Sequence, residues 1–337
     1  MSITEDAENQ DELARVKREL DRVQRQLYEV KHRRADYLST VREAVTEAIH
    51  GQTIAPVPQP RPVGTASPLQ AVALLSDLQT GKITPDYNSG VAADRVALYA
   101  EKIIAYGKSR GIKVISVAML GDMVEGVDIF PGQQWLIDST LYRQVFDTTP
   151  VIIVEFVRKL LTWFDIVHVE AVQGNHGRIA RRGQFGPEDN ADRMVYRVAK
   201  LMLRDEPRVT FSMADPEGEA AWYKIMNVGE YRALMIHGDQ IRGANGFPWY
   251  GLGKKVHSWA SGGLPGNDTF NDVFMGHYHQ LAAVPLNHRT VWANGSTESY
   301  NSFAAETLAA QSTPGQWLLT VDPFAGTVEA AYPVRLA

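Results

Sequence analysis

Residues 113–126 read KVISVAMLGDMVEG, an apolar run that ends in a glycine and an aspartate, with a glutamate three residues further on. A short apolar run bounded by turn residues is typical of a strand buried in a sheet. AVALLSD at 71–77 and IVHVEAVQGN at 166–175 repeat this pattern. Stretches with a helical pattern lie between or after these runs, around 91–109, 134–163 and 189–205. The alternation predicts βαβ layers around a sheet.

Later in the chain, strand-like runs follow one another with fewer helical stretches between them. They are RALMIHGD at 232–239, DVFMGHYH at 272–279, TVWANGS at 290–296 and QWLLTVD at 316–322. Successive parallel strands need long crossover connections, so this half of the chain suits a single parallel sheet poorly. The predicted fold class is therefore α/β (α+β), a two-sheet β-sandwich flanked by α-helices.

The polar residues that follow these strands are of the types that bind divalent cations. They are Asp77 and Gln79, Asp122 and Glu125, Asn175 and His176, His237, and finally His277 and His279. Because sheet proteins gather functional groups in the loops at one edge of the sheet, we expect these side chains to lie together. The chain has no cysteine, so any metal site must use nitrogen and oxygen ligands.

Five segments that contain these residues resemble, in chain order, the motifs of the calcineurin-like metallophosphoesterase superfamily. They are SDLQ (76–79), GDMVEG (121–126), GNH (174–176), HGD (237–239) and GHYH (276–279). The corresponding family patterns are D-x-H, G-D-x-x-D/E, G-N-H-D/E, a lone His and G-H-x-H. The resemblance covers about residues 70–300. It implies a metallophosphoesterase-like fold and phosphoester hydrolysis by a hydroxide that bridges two divalent cations.

The resemblance also implies a role for each motif residue. One cation would be held by Asp77, Gln79, Asp122 and His279, and the other by Asp122, Asn175, His237 and His277. His176 resembles the residue that contacts the phosphate and helps to protonate the leaving group. Glu125 and Asp239 would orient imidazoles or the turns, although each could equally be an ordinary turn carboxylate.

Two positions depart from the family pattern. Gln79 replaces a histidine, and its amide oxygen is a harder and weaker ligand, which favours Mn²⁺ as the metal, with Mg²⁺, Fe²⁺ and Zn²⁺ as alternatives. We therefore expect the first cation to be held more weakly than the second. Gly177 stands where an acidic residue often follows GNH, so the partner that orients His176 is expected to be missing.

The second motif argues against a protein phosphatase, because those relatives continue it as D-R-G and the arginine binds phosphate. Arg178, Arg181 and Arg182 follow His176 instead, and basic residues beside a phosphodiester centre could contact a nucleic-acid backbone. A solvated loop explains the arginines equally well. The GNHGR form looks most like the nuclease-type branch, which includes phage and bacterial relatives of double-strand-break repair nucleases.

The resemblance thus predicts a metal-dependent phosphodiesterase or nuclease with DNA as its substrate. Two alternatives stay open. One is a small-molecule phosphoesterase that acts on nucleotides, and the other is a catalytically silent scaffold subunit.

The start of the chain is expected to lie outside the catalytic domain. Residues 1–50 include a helical stretch in which apolar residues recur at heptad spacing, namely Leu13, Val16, Leu20, Val23, Leu27 and Val30. The helix would form a coiled coil, and so a homo-oligomer or a docking site for another protein, or it would pack on its own domain. Residues 51–68 are rich in proline and predict an extended linker before a catalytic domain at 69–337.

The bulk properties are those of a globular protein without a membrane span. The 337 residues are 45% hydrophobic and 22% charged, and the formal net charge is -5. The acidic, polar N-terminus is unlike a signal peptide, so we expect a cytoplasmic protein with no membrane partner.

Overall fold

The structure is a computed structural model. It describes residues 15–26, 54–60, 66–180, 185–215, 220–243, 246–298 and 313–337, with single helical residues at 39, 43, 46, 47 and 49. Contacts divide the chain into two units, Met1–Thr53 and Ile54–Ala337. In the first unit, residues 15–26 are helical, and Val16, Leu20 and Val23 are exposed. Leu13, Leu27 and Val30 lie outside the described residues, so the coiled coil stays a prediction.

The second unit is built from two sheets and the helices around them. The strands are β1 (Gln70–Leu75), β2 (Val114–Met119), β3 (Ile166–Ala171), β4 (Val209–Met213), β5 (Tyr223–Val228), β6 (Tyr231–Ile236), β7 (Asp272–Met275), β8 (Ala282–Leu286), β9 (Arg289–Ala293), β10 (Gly315–Asp322) and β11 (Thr327–Arg335). The helices are α1 (Ser89–Arg110), α2 (Leu141–Arg143), α3 (Thr149–Leu160), α4 (Ala191–Met202) and α5 (Trp249–Ser258). A π-helical turn at Gln144–Thr148 joins α2 to α3.

The first sheet has the order β11-β10-β1-β2-β3-β4 and the second the order β5-β6-β7-β9-β8. Strands β1 to β4 run parallel, as do β6, β7 and β9, whereas the remaining pairings are antiparallel. The carboxyl ends of the parallel strands therefore lie at one edge of each sheet, which is where the motif residues follow.

The side chains of β1 alternate between two apolar layers, as expected for a strand buried on both faces. Ala73 and Leu75 pack in the layer that includes the helices α1, α3 and α4. Val72 and Leu74 pack in a second layer with side chains of the other sheet, including Phe274. A third apolar layer, which contains Leu252, covers the outer face of the second sheet with α5. The predicted two-sheet sandwich flanked by helices is confirmed.

Two details differ from the sequence prediction. The helix predicted for 134–163 begins only at Leu141, because the preceding residues pair with the loop after β1. Ile83 N donates to Leu136 O at 2.9 Å and Asp138 N to Gly81 O at 2.7 Å. Part of the predicted linker also packs on the second unit, since Val57 N donates to Glu206 Oε2 at 2.8 Å. No helix in the described part of the chain is long and apolar enough to cross a membrane.

Candidate metal centre

The motif residues from both sheets meet at the carboxyl ends of their strands. Asp77 links the sheets directly, because both of its carboxylate oxygens lie 3.1 Å from the backbone N of His277. Gly276 makes this approach possible, since a Cβ at that position would lie 2.5 Å from Asp77 Oδ2. Asp77 and Asp122 are buried. The structure therefore brings the predicted ligands together where the carboxyl ends of strands from both sheets meet.

The tightest cluster contains Asp122, His237 and His277, whose ligand atoms all lie within 4.8 Å of one another. His237 Nε2 lies 3.0 Å from Asp122 Oδ2 and 3.1 Å from Asn175 Oδ1. These four side chains are the ligands that the resemblance implied for the second cation.

The hydrogen bond on the far side of His237 shows that the cluster fits a cation. His237 Nδ1 lies 2.7 Å from the carbonyl oxygen of Leu120, so Nδ1 carries a proton and donates it. In the neutral ring, Nε2 is then a lone pair that faces the oxygens of Asp122 and Asn175. The lone pair of Nε2 and the carboxylate oxygen of Asp122 are both acceptors 3.0 Å apart, so this contact is stable only around a positive charge, which is either a proton or a metal ion.

The pKa values of the metal-free cluster also indicate that the site favours a positive charge. Burial opposes the protonation of His237, but the carboxylates of Asp122 and Asp77 raise its pKa to about 10. Burial alone would raise the pKa of Asp122, but His237 and His176 hold this pKa far below its ordinary value. Burial and the neighbouring His237 lower the pKa of His277 to about 4, which keeps its lone pair available for a metal.

A second group lies around Asp77 and His279. His279 Nε2 lies 3.3 Å from Asp77 Oδ1 and 3.3 Å from Gln79 Nε2, while its Nδ1 lies 3.4 Å from Glu298 Oε2. Burial opposes the protonation of His279, but Asp77 and Glu298 raise its pKa to about 10. Glu298 was not predicted from the sequence. It is buried, and its place beside the site depends on the chain returning after β9.

The backbone at the ligands is strained. Among the described residues that are not glycine, six have positive φ, and five of these are predicted ligands: Asp77 (55°), Gln79 (43°), Asp122 (53°), His277 (73°) and His279 (54°). Each such residue costs on the order of 1–3 kcal/mol, and such strain clusters at functional sites. This observation is independent of the motif pattern and supports a functional role for the same positions.

The structure contains a partner that orients the ring of His176. Its backbone N donates to Asp122 Oδ1 at 2.7 Å, and its Nδ1 lies 2.9 Å from Glu125 O and 3.2 Å from Glu125 Oε2. Glu125 is in turn held by Gln133 Nε2, which donates to its Oε1 at 2.9 Å. The expectation of a missing partner was therefore wrong, because Glu125 from the second motif orients the ring. Burial opposes the protonation of His176, but Asp122 and Glu125 raise its pKa to about 9.

Asp192, on the first turn of α4, is the largest omission of the sequence analysis. Its Oδ2 accepts from the backbone N of Asp122 at 2.9 Å and of Gly174 at 2.8 Å. Its Oδ1 accepts from the backbone N of Met123 at 3.0 Å and of Val124 at 3.3 Å. One buried carboxylate thus ties the second and third motifs together. The only signal in the sequence was its place after Asn190, which caps the helix.

The predicted substrate-binding arginines are described only in part. Arg178 pairs with Asp239, and its side chain is 32% exposed. Asp239 therefore holds this arginine, whereas we expected it to orient an imidazole or the turn. A cavity of about 370 Å³ lies beside this pair and is lined by Gly174, Arg178, Trp222 and Asp239 among others. Arg181 and Arg182 lie outside the described residues, so their role stays a prediction.

Comparisons with known proteins add similarities but no family assignment. No protein-family model matches the chain, and no curated protein matches it. Among solved structures, the chain is similar to an archaeal phosphodiesterase, with 11% identity over 78% of this chain and 99% of that one, and a TM-score of 0.37. It is also similar to Vps29 of Entamoeba histolytica complexed with Zn²⁺, with 13% identity over 79% and 99% of the two chains, and a TM-score of 0.36.

A predicted phosphoesterase of Streptococcus pneumoniae is a third such structure, with 12% identity over 75% of this chain and 84% of that one, and a TM-score of 0.33. TM-scores this low decide neither family nor function. The two-sheet architecture rests on the strand pairing, and the site rests on the contacts between its side chains.

Proposed function

We propose that this protein is a metal-dependent phosphoesterase of the calcineurin-like type that hydrolyses phosphodiesters. The observation that carries the proposal is the convergence of Asp122, Asn175, His237 and His277 on one point, with the tautomer of His237 fixed by Leu120. Asp77 and His279 provide ligands for a second cation beside it. The donor set contains only nitrogen and oxygen, and we propose Mn²⁺ as its metal, with Mg²⁺, Fe²⁺ and Zn²⁺ as alternatives.

The cations would polarise the phosphoryl oxygens and lower the pKa of the attacking water. The protein supplies the remaining chemistry. His176 holds a proton on Nδ1 towards Glu125, so its Nε2 is the atom that can deliver a second proton to the leaving oxygen. Asp122 and Glu125 raise the pKa of this ring and so favour the protonated state that a general acid requires. Burial of the carboxylates excludes water and strengthens their interactions with the cations.

The surroundings of His176 support the substrate class that we propose. The second motif lacks the arginine with which protein phosphatases bind phosphate. Arg178 lies at a cavity that adjoins Gly174, which is the residue before the ligand Asn175. The guanidinium of Arg178, which is paired with Asp239 and partly exposed, is a donor suited to a phosphate oxygen of a nucleic-acid backbone. DNA is the substrate we propose, and a small nucleotide phosphodiester is the alternative.

Two assays test the proposal. Metal-free protein supplied with Mn²⁺ should hydrolyse bis-p-nitrophenyl phosphate, and labelled single- and double-stranded DNA should be cleaved faster than cyclic nucleotides. Preference for the cyclic nucleotides would favour the small-molecule alternative. Absence of turnover with every divalent metal, together with absence of metal binding, would mean that the protein is a scaffold.

Substitution of the ligands provides a second test. Asp122→Ala and His237→Ala should each abolish turnover and metal binding, because each removes a donor from the tightest cluster. The circular dichroism spectrum should remain that of a folded protein. His288→Ala is a suitable control, since this exposed histidine lies in the turn between β8 and β9. Full activity of either ligand variant would rule out the proposed centre.

A further inference from the structure

Lys82 is buried inside the candidate metal centre. The residue is only 8% exposed, and its Nζ lies 3.1 Å from Gln79 Oε1 and 2.8 Å from Glu298 Oε1. A tight turn fixes its position, because Lys82 N donates to Gln79 O at 3.0 Å. Its burial and its two partners leave no surface for contact with a substrate phosphate. An ammonium therefore lies next to ligands expected to bind a divalent cation.

The lysine determines which end of the Gln79 amide faces the site. Amide oxygen and nitrogen are assigned from their hydrogen-bond partners, and an ammonium can only donate. The oxygen of Gln79 accepts from Lys82, and its amide nitrogen lies 3.3 Å from His279 Nε2. Rotating the amide by half a turn would place two donors against each other at Lys82. While Lys82 is charged, Gln79 turns its NH₂ group towards the Asp77–His279 side and its oxygen away from it.

The positive charge of Lys82 also opposes the binding of a cation between Asp77 and His279. A cation between Asp77 and His279 would lie near a fixed positive charge, and like charges in a buried site repel strongly. Lys82 also neutralises Glu298, the carboxylate that lies 3.4 Å from His279 Nδ1. The Glu298 carboxylate is buried and lies between Lys82 and His279. Among the ion pairs of the described residues, Asp122 is joined only to His237, and none brings a lysine or arginine to the cluster of Asp122, Asn175, His237 and His277.

We propose that Lys82 is a built-in cation that weakens divalent metal binding between Asp77 and His279. The centre then holds one cation tightly at Asp122, Asn175, His237 and His277. At low metal concentration, the Lys82 ammonium and the Gln79 NH₂ group provide positive charge and hydrogen-bond donors on the other side. This proposal rests on the proposed function, since it presupposes that the centre binds divalent cations.

Titration of the metal-free, full-length protein with Mn²⁺ tests the proposal without an activity assay. Electron paramagnetic resonance separates free Mn²⁺, an isolated bound ion and a spin-coupled pair. We expect two binding steps for the unaltered protein, with the second at least tenfold weaker. Lys82→Met removes the charge at similar length, so the second step should tighten at least tenfold while the first stays within about threefold. Lys82→Arg keeps the charge and should leave the second step weak.

Lys224→Met is the matched control. Lys224 also forms an ion pair, with Glu170 at 3.2 Å, and its side chain is 23% exposed, but it lies on β5 outside the centre. Neither binding step should change in this variant. If Lys82→Met leaves the second step unchanged or weakens it, Lys82 instead positions Gln79 as a ligand and the proposal is overturned.

Unpairing the buried Glu298 could prevent Lys82→Met from folding, so a double variant provides the second test. Lys82→Met combined with Glu298→Gln removes both charges, and its second step should be tighter than that of Glu298→Gln alone. Equal second steps in these two proteins contradict the proposal. A protein that binds no divalent cation in either step refutes the proposed function itself, whereas two equal steps in the unaltered protein refute only the role of Lys82.

Discussion

His176 is held on one side and free on the other. Its backbone N and its Nδ1 are occupied by Asp122 and Glu125, whereas no hydrogen bond to Nε2 is found among the described residues. A side chain that only supported the fold would not need an oriented free nitrogen beside a ligand cluster. A proton donor to a leaving oxygen needs both the orientation and the free position.

His176→Ala should therefore slow turnover by about 10²- to 10⁴-fold and leave the metal content unchanged. The decisive comparison is between leaving groups. A p-nitrophenolate ion leaves without a proton, so the loss of rate should be small for that ester and large for an alkyl ester or DNA. Equal losses for both would show that His176 binds the phosphate rather than protonates the leaving group, and a loss of metal would show that it is a ligand.

The sequence predicted which residues meet in the site but not how each is turned. Asp77, Asp122 and His237 could be located because a polar residue directly after a buried strand lies in the loop at the carboxyl end of that strand, where the other motif loops also lie. The orientation of Gln79 depends on Lys82 and on Glu298, and Glu298 lies far along the chain. No spacing rule expresses a contact between residues so distant in sequence.

At the level of elements, the motif loops are held together by the start of α4. Asp192 accepts four backbone N–H groups, from Asp122, Met123, Val124 and Gly174. Burial and the nearby Asp122 raise the pKa of Asp192 to about 6, although the N–H groups act in the opposite direction. The carboxylate thus remains charged at neutral pH and fixes the position of the loop that carries Asp122.

Asp192→Asn should lower both stability and metal affinity. The amide replaces one carboxylate oxygen by an NH₂ group, which turns donors towards two backbone N–H groups. Leaving buried donors unsatisfied costs about 1–3 kcal/mol each, so chemical denaturation should show a loss of at least about 2 kcal/mol. Asp147→Asn, on the surface of the π-helical turn, should change neither quantity. An unchanged metal affinity in Asp192→Asn would mean that α4 does not shape the site.

A pair of glycine substitutions tests the close approach of the two sheets. Gly276→Ala would place a Cβ 2.5 Å from Asp77 Oδ2, so it should cost about 1–3 kcal/mol and weaken metal binding. Gly253→Ala, inside α5, meets nothing within 4 Å and should instead stabilise the protein by up to about 1 kcal/mol. Thermal unfolding with and without Mn²⁺ measures both effects. If Gly276→Ala behaved like Gly253→Ala, Asp77 would not be held against β7.

The strands that the sequence analysis missed share one position in the fold. β4 and β11 are the edges of the first sheet, and β5 and β8 are the edges of the second. An edge strand is partly exposed, so its sequence mixes polar and apolar residues and lacks the continuous apolar run of a central strand. β8 and β11 also contain Pro285 and Pro333, which edges tolerate and central strands do not. The central strands, which carry the ligands, were predictable because their sequences are continuous apolar runs.

At the level of the whole molecule, the chain divides into two units, and the boundary lies between Thr53 and Ile54. If the heptad pattern of the first unit forms a coiled coil rather than a helix packed on its own domain, the chain self-associates through it, and the exposed Val16, Leu20 and Val23 are part of that pattern. Removal of residues 1–53 should then leave a monomer that still binds metal, as light scattering and metal titration would show. An oligomer of unchanged size after the truncation would place the interface in the second unit.

The exact start of the shortened chain should also matter. Residues 54–60 belong to the second unit, where Arg208 donates to Val57 O at 2.7 Å and Arg158 donates to Ala55 O at 2.9 Å. A chain that starts at residue 69, where the sequence predicted the domain to begin, loses these bonds and leaves the buried Glu206 without its bond to Val57 N. It should be less stable than a chain that starts at 54 by about 1–3 kcal/mol, with a Tm lower by roughly 2–5 °C. Equal Tm values would show that the segment contributes nothing and that the predicted boundary at 69 is the functional one.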